Sequence, residues 1–369
     1  MKNLSWCTKC INNSLRPRIE FDRYGVCNAC QWSEEKKKLN WNKRKYQLKK
    51  IIREIKKNNN LYDCLVPVSG GKDGTYVSNV VRDKLKLNLL TATSRPALES
   101  ELGNLNLRNF IKNGFEHIHI STNGEVMQKI NKLGLVHKGS PYYGWLMSII
   151  TVVVKLALTF KIKLIFYGED GEVEYGGSSE NKNKPFFDLK YAVKNYFEGD
   201  YRKILKLTKC SKKDLFWFDL SENDLKKNQI LMTHWGYFEP WDSYKNYLSA
   251  KKKSGFKEDS KSNSGTFTNF AQSDQSLFAL HTFIMYLKFG FGRATQDANI
   301  EIRRGAMNRD QAKNLANLYD NSFPHEYLNQ YLDYYQMSKK EFFKVLDSWT
   351  NKNLFSSKKY VWIPKFKIN

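Results

Sequence analysis

The sequence predicts an α/β protein built on a parallel sheet, with a small metal-binding module in front and a mainly helical region behind. Three observations carry this. From Tyr62 onward, short apolar runs alternate with amphipathic segments of helical length. The first run, Leu65–Val68, ends in a glycine-rich polar turn, Ser69-Gly70-Gly71-Lys72-Asp73-Gly74-Thr75. Two Cys-x-x-Cys pairs precede both. Strands separated by helices of this length pair in parallel, with helices on both faces.

Residues 1–32 read as a zinc ribbon. Cys7 and Cys10 form one pair and Cys27 and Cys30 the other, with sixteen residues between them. Each pair makes a tight knuckle, and two knuckles present the thiolates of a closed tetrahedral site. Such a site leaves no open position for water, so its role is structural. A redox or iron–sulfur site is the alternative. So short a segment has no core of its own, and Zn²⁺ would supply its stability. Residues 33–60 follow as a connecting helix, where Leu39, Trp41, Tyr46, Leu48, Ile51, Ile52 and Ile55 recur as one stripe over Ser33–Lys57.

Residues 61–210 hold the alternating pattern. The expected strands are Cys64–Val68, Leu87–Thr93, His117–Ile120 and Leu164–Tyr167. The expected helices are Thr75–Lys84, Glu101–Asn113, Glu125–Leu133 and Trp145–Phe160. Ligands of such sheets bind beyond the carboxyl ends of the strands. Three loops meet there: Ser69–Thr75, the Thr93-Ser94 turn, and the acidic stretch Gly168-Glu169-Asp170-Gly171-Glu172 with Glu174 and Tyr175. Glycines let backbone approach an anion, and the N–H groups of the following helix point at it. Lys72 adds a mobile charge. The spacing is neither Walker A nor the dinucleotide Gly-x-Gly-x-x-Gly. Carboxylates at the fourth strand end could hold Mg²⁺ on phosphate oxygens, or form an exposed acidic loop.

Residues 211–369 read as mainly helical. Lys251–Gly265 is a polar, basic loop. A dense block follows, Asp274-Gln275-Ser276-Leu277-Phe278-Ala279-Leu280-His281, then Lys288-Phe289-Gly290-Phe291-Gly292-Arg293-Ala294-Thr295 running on through Asp297, Glu301, Arg303 and Arg304 to Gly305. Guanidinium forks suit carboxylates and phosphates, so the block reads as a pocket for an anionic substrate. Salt bridges between helices are the other reading. His281 reads as a structural histidine. No Ser-His-Asp or His-Glu-x-x-His arrangement is visible.

Composition sets the outer bounds. Hydrophobic residues make up 41% of the 369, which excludes a disordered chain. Sixty-one Lys and Arg against 37 Asp and Glu leave +24, which attracts polyanions or reflects a lysine-rich surface. The start lacks a signal-peptide pattern, so a cytoplasmic protein with reduced cysteines is expected. Tyr142–Phe160 carries one charge, Lys155, and reads as a buried helix with no membrane insertion.

The glycine turn resembles the Ser-Gly-Gly-x-Asp-Ser loop of the PP-loop ATP pyrophosphatases, with Gly74 where that family has serine. That likeness implies a HUP-like, adenine nucleotide alpha hydrolase domain. Across nearly the whole chain the sequence resembles the N-acetyl sugar amidotransferases of bacterial surface-polysaccharide and flagellin-glycan synthesis. The likeness rests on the paired cysteines with Phe21-Asp22 and Gly25-Val26-Cys27, and on Ser69–Asp73. It rests also on Tyr143-Gly144-Trp145, Gly168-Glu169 with Glu174-Tyr175-Gly176, and Lys288–Thr295 running on to Glu301–Gly305.

The resemblance implies ATP-dependent conversion of a sugar's acetamido group to an acetamidino group. It implies ATP at Ser69, Gly70, Gly71, Lys72, Asp73, Gly74, Thr75, Thr93 and Gly168. Lys72, Asp73 and Glu169 would do the chemistry. Tyr143, Glu174, Tyr175, Arg293, Asp297, Glu301, Arg303 and Arg304 would bind the acetamido sugar. It also implies Mg²⁺ with ATP, and a separate glutaminase with a cyclase-like subunit to supply ammonia. Nucleic acid is not the expected partner. Two other readings use the same features: a tRNA-modifying enzyme that thiolates or ligates at a base through the same adenylation, and a nucleotide-binding scaffold with an altered loop at Gly74.

Overall fold

The computed structural model describes residues 4–169, 171–220 and 230–369. Asp170 and part of the expected helical stretch 188–227 therefore lie outside the described residues. Five short strands make one parallel sheet: β1 (Cys64–Pro67), β2 (Leu89–Ser94), β3 (His117–Ile120), β4 (Leu164–Tyr167) and β5 (Leu231–His234). Their order is β3-β2-β1-β4-β5. The order reverses between β1 and β4, so the loops leaving these two strands diverge and open a crevice. The four strands expected from sequence fall where the structure has them, within two residues at each end. The fifth comes from a region read as helical and extends the sheet past residue 210.

Strand side chains alternate between two cores. Leu65, Leu90, Ala92 and Ile165 face one, while Cys64, Val66, Leu164 and Phe166 face the other. The first core is covered by α5 (Gly124–Lys138), α6 (Tyr143–Thr159) and the C-terminal helices. α6 is apolar on nearly all sides because nearly all of it is buried. Among the described residues no helix is long and apolar enough to cross a membrane. The second core takes α3 (Lys72–Asp83), α4 (Glu101–Lys112) and α2 (Trp41–Lys56).

The single connecting helix expected over 33–57 is two. α1 (Asn28–Lys37) starts inside the second cysteine knuckle, and α2 starts after Asn40. The Asn40 side chain accepts from the Lys43 N–H at 2.9 Å, so it caps a new helix where the stripe suggested continuity. The basic loop expected from Lys251 also differs. Lys251, Lys252 and Lys253 complete the helix Ser243–Ser254, which ends at Gly255. Beyond it come the helices Leu277–Phe289, Arg293–Arg304, Arg309–Tyr319, Leu328–Tyr335 and Lys339–Trp349, then an antiparallel hairpin of β6 (Phe355–Lys358) and β7 (Val361–Pro364).

Candidate functional site

At the switch point the chain turns from β1 into α3 through Ser69, Gly70 and Gly71. Gly70 has φ +86°, and a Cβ there would stand 2.7 Å from the Leu107 nitrogen of α4. Only glycine fits that turn. Gly71 is the N-cap of α3, and no side chain caps the helix. Its first N–H groups therefore face the crevice as an anion cradle.

A cavity of about 460 Å³ fills the crevice. Ser69, Gly71, Lys72, Asp73 and Gly74 line one end, with Thr93 and Gly168 beside them. Tyr175, Arg293, Asp297 and Glu301 line the other, and Glu169, which feels both Asp73 and Arg293, lies between the two groups. Apolar side chains of α6, among them Trp145, Ile149 and Val153, close one wall. Such a cavity takes a ligand of nucleotide size.

The cradle is held by partners distant in sequence. Lys72 Nζ lies 2.5 Å from Asp73 Oδ2, and Asn246 donates to Asp73 Oδ1 at 3.1 Å. The Thr93 hydroxyl donates to the Val68 carbonyl, tying the β2 end to the loop. Asp274 lies beside the Ser69 side chain in the cavity lining. Burial pushes the Asp274 carboxyl up to about 6, against the pull of its own N–H and of Ser69.

Glu169 sits in the left-handed region at φ +74°, held by the Gly236 N–H on its carbonyl at 2.9 Å. That conformation is uncommon for a residue other than glycine. The Glu169 side chain is exposed to solvent through the open cavity that it lines. Burial first and Asp73 second raise it to about 7, opposed by Lys72 and Arg293. Solvent in the cavity screens part of that effect. Glu169 can therefore exchange a proton near neutral pH.

At the far end Arg293 Nε donates to Asp297 Oδ1 at 2.8 Å. Asp297 also accepts from Thr266 at 2.6 Å and Thr268 at 3.2 Å. Those three bonds take up three of the carboxylate's roughly four acceptor positions and orient Arg293.

Six sequence-predicted residues line no part of the cavity: Gly70, Thr75, Tyr143, Glu174, Arg303 and Arg304. Thr75 is buried in α3. The Tyr143 hydroxyl donates to the Phe197 carbonyl inside the core. Arg303 donates to the Glu174 carbonyl at 2.8 Å, and Arg304 pairs with Glu301 on the surface. Of the acidic stretch, Glu172 is drawn away by Arg18 at 2.8 Å. Among the described residues no three carboxylates gather to hold a metal. Asn246 was missed, and Asp274 was read only as the start of the C-terminal block, with no link to Ser69. Asp274 stands just ahead of the arginine block, but only its packing against α4 brings it to Ser69. Asn246 has no local signal.

The four cysteines are brought together, with ligand atoms all within 4.8 Å of one another. Cys10 and Cys27 Sγ lie 3.7 Å apart, and a tetrahedron of ~2.3 Å Zn–S bonds has edges of about 3.8 Å. Backbone N–H groups of Cys27 and Asn12 point at Cys7 and Cys10 sulfurs at 3.2 and 3.4 Å. N–H donors around sulfur suit thiolates. The donor set fits a zinc ion.

Fold and site define an α/β protein with a four-cysteine site and an anion cradle at its strand ends. Residues 264–367 match a family described as "LPS biosynthesis protein WbpG-like, C-terminal domain". That match supports a surface-polysaccharide biosynthesis family and a role in glycan biosynthesis. The matched region brings Asp274, Arg293, Asp297 and Glu301 to the cavity. An uncharacterized protein of Methanocaldococcus jannaschii is 29% identical over 85 residues, which are 23% of this chain and 30% of that relative's length.

Proposed function

We propose that the chain is an ATP-dependent amidotransferase of the PP-loop class, converting an acetamido group of a surface-glycan sugar to an acetamidino group. The observation that carries this reading is one cavity with an anion cradle at one end, a guanidinium at the other, and Glu169 between them. ATP phosphates rest on the cradle beside Lys72. The sugar's acidic or phosphorylated part is held by Arg293, which places its acetamido group near Glu169.

The amide oxygen attacks the α-phosphorus, and the bond from that phosphorus to the β-phosphate oxygen breaks. Pyrophosphate leaves and an adenylated imidate remains. Ammonia then forms a C–N bond at the imidate carbon, and the C–O bond to AMP breaks. Glu169 takes the proton that ammonia sheds. The cradle N–H groups and Lys72 stabilise charge on the phosphates. Asp73 is the residue that would hold Mg²⁺ together with phosphate oxygens, and the ion when bound would neutralise phosphate charge. The α6 wall excludes water, which would hydrolyse the imidate. Ammonia comes from a separate glutaminase with a cyclase-like subunit.

Two features favour this over the thiolating alternative. Cys64 is fully buried in the sheet, where burial pushes its thiol far up and keeps it unreactive. Cys210 does not line the cavity. The test is mass spectrometry of acetamido sugars, free and nucleotide-linked, incubated with ATP, Mg²⁺ and ammonium. The expected product has NH in place of the amide oxygen, with one AMP formed per sugar. ATP cleavage stimulated only by tRNA would overturn the reading.

A further inference from the structure

The cysteine site touches the cavity through two asparagines that the proposed reaction does not use. Asn12 lies between the knuckles, and Asn299 lies on the helix Arg293–Arg304. Both are buried, at 1% and 2% exposure. Asn299 Oδ1 accepts from the Ile11 N–H at 2.9 Å, and its Nδ2 donates to Asn12 Oδ1 at 3.0 Å. Asn12 Nδ2 then reaches the Cys27 sulfur at 3.6 Å and the Tyr175 carbonyl at 3.4 Å. A thiolate of the metal site, the Tyr175 backbone and the arginine helix thus share one hydrogen-bonded cluster.

The helix Arg293–Arg304 has two working faces. Arg293, Asp297, Ile300 and Glu301 follow the i, i+4, i+7, i+8 spacing and face the cavity. Ala298, Asn299 and Ile302 face the ribbon, where Ala298 and Ile302 pack on Ile11. A buried polar cluster is all-or-none, since losing one member leaves the others unpaired in a low dielectric. The ordering of Ile11 and Asn12 depends in turn on the knuckle that the metal closes.

We propose that Asn12 and Asn299 are positioning residues that couple metal occupancy of the cysteine site to the placement of Tyr175 and Arg293 in the cavity. Metal binding fixes the knuckle, the knuckle fixes Asn12, and Asn12 holds both the Tyr175 backbone and Asn299. Coupling is reciprocal, so a ligand that orders the cavity wall slows metal loss. This holds whatever reaction the cavity performs.

The test uses the full chain and needs neither ATP nor sugar. Hydrogen–deuterium exchange is compared between zinc-loaded and chelator-treated protein. Exchange in 172–176 and 293–304 should quicken about tenfold, the scale of one lost buried hydrogen bond. β1 and α3 should keep their protection. Asn299→Ala, loaded with one zinc per chain, should quicken 172–176 in the same way. In cobalt-substituted protein it should shift the thiolate-to-cobalt band, although residue 299 is no ligand. Asn299→Asp keeps the acceptor for Ile11 and should restore part of both signals. If Asn299→Ala does not fold, Asn12→Ala is read by the same two signals. Unchanged protection of 172–176 and 293–304 on metal removal would overturn the proposal. So would loss of protection spread evenly through β1 and α3, or a cobalt band unmoved in both variants.

Discussion

Gly74 lies against the strand that precedes it: a Cβ there would stand 2.9 Å from the Pro67 carbonyl oxygen and 3.3 Å from Val68 Cα. Both contacts are backbone, so α3 would have to move away from β1 to admit a side chain. Gly74 is therefore a close-approach position, which argues against a decayed loop. Gly74→Ser, which restores the serine of the resembling loop, is expected to destabilise. Overpacking costs about 1–3 kcal/mol, and better helix propensity returns roughly 0.5–1 of it. Urea denaturation should show a net loss of roughly 1 kcal/mol with an unchanged slope. Turnover should fall, because the cradle N–H groups move with α3. A serine variant as stable as the parent and faster would show that a hydroxyl is missing.

Glu169 gives the chain a pH signature. Its folded carboxyl titrates near 7, above the ordinary carboxylate range. A raised acid means that folding favours the protonated form. That contribution is fully present below about pH 4, and it is lost as pH rises toward 7. Glu169→Gln stays neutral throughout. The variant should match the parent in denaturation midpoint at pH 4 and exceed it at pH 8. Its amidotransferase rate should fall by about 100-fold or more, the scale of a lost general base. In the parent, kcat/KM should rise through a pH near 7, and that limb should vanish in the variant.

The contrast between what sequence showed and what it hid is physical. The four expected strands are apolar runs bounded by polar turns, a pattern that local chemistry writes into consecutive residues. The cradle is legible for the same reason, since Ser69–Asp73 is one continuous turn. β5 is as short as β1, β3 and β4 but lies outside the stretch of alternating runs, and its pairing with β4 makes it a strand. Asp274 reaches Ser69 because Gly103 of α4 lets the chain at Asp274 approach closely; a Cβ at Gly103 would lie 2.5 Å from its Cα. The arginine block shows the limit most sharply. Its composition signalled an anion pocket, yet only the helical phase separates Arg293, which faces the cavity, from Arg303 and Arg304, which do not.

Asp274 should matter to nucleotide binding although it follows Ser69 by some two hundred residues. Its carboxyl lies beside the Ser69 side chain, at the first position of the cradle. Asp274→Ala should weaken ATP binding by about tenfold, the worth of one polar contact and the order it imposes. Calorimetric titration with MgATP measures this. Asp274→Asn keeps an acceptor and should retain most of the affinity. Equal affinities for all three proteins would remove Ser69 from the nucleotide site.

Arg293 and Asp297 separate sugar binding from nucleotide binding. Asp297 accepts from Arg293, Thr266 and Thr268, which fixes the guanidinium at the cavity end opposite the cradle. Arg293→Ala removes a charge-assisted contact worth about 1.5–3 kcal/mol. KM for the sugar should rise roughly 10- to 100-fold, while the Kd for MgATP stays where it was. Asp297→Asn keeps the shape but loses the charge that draws Arg293 in, so it should raise the same KM by less. Arg293→Lys should rescue poorly, because an ammonium cannot donate to Asp297 and a ligand through one planar fork. Steady-state kinetics with each substrate varied in turn distinguishes these outcomes. A matching rise in the ATP constant would mean that Arg293 serves the nucleotide instead of the sugar.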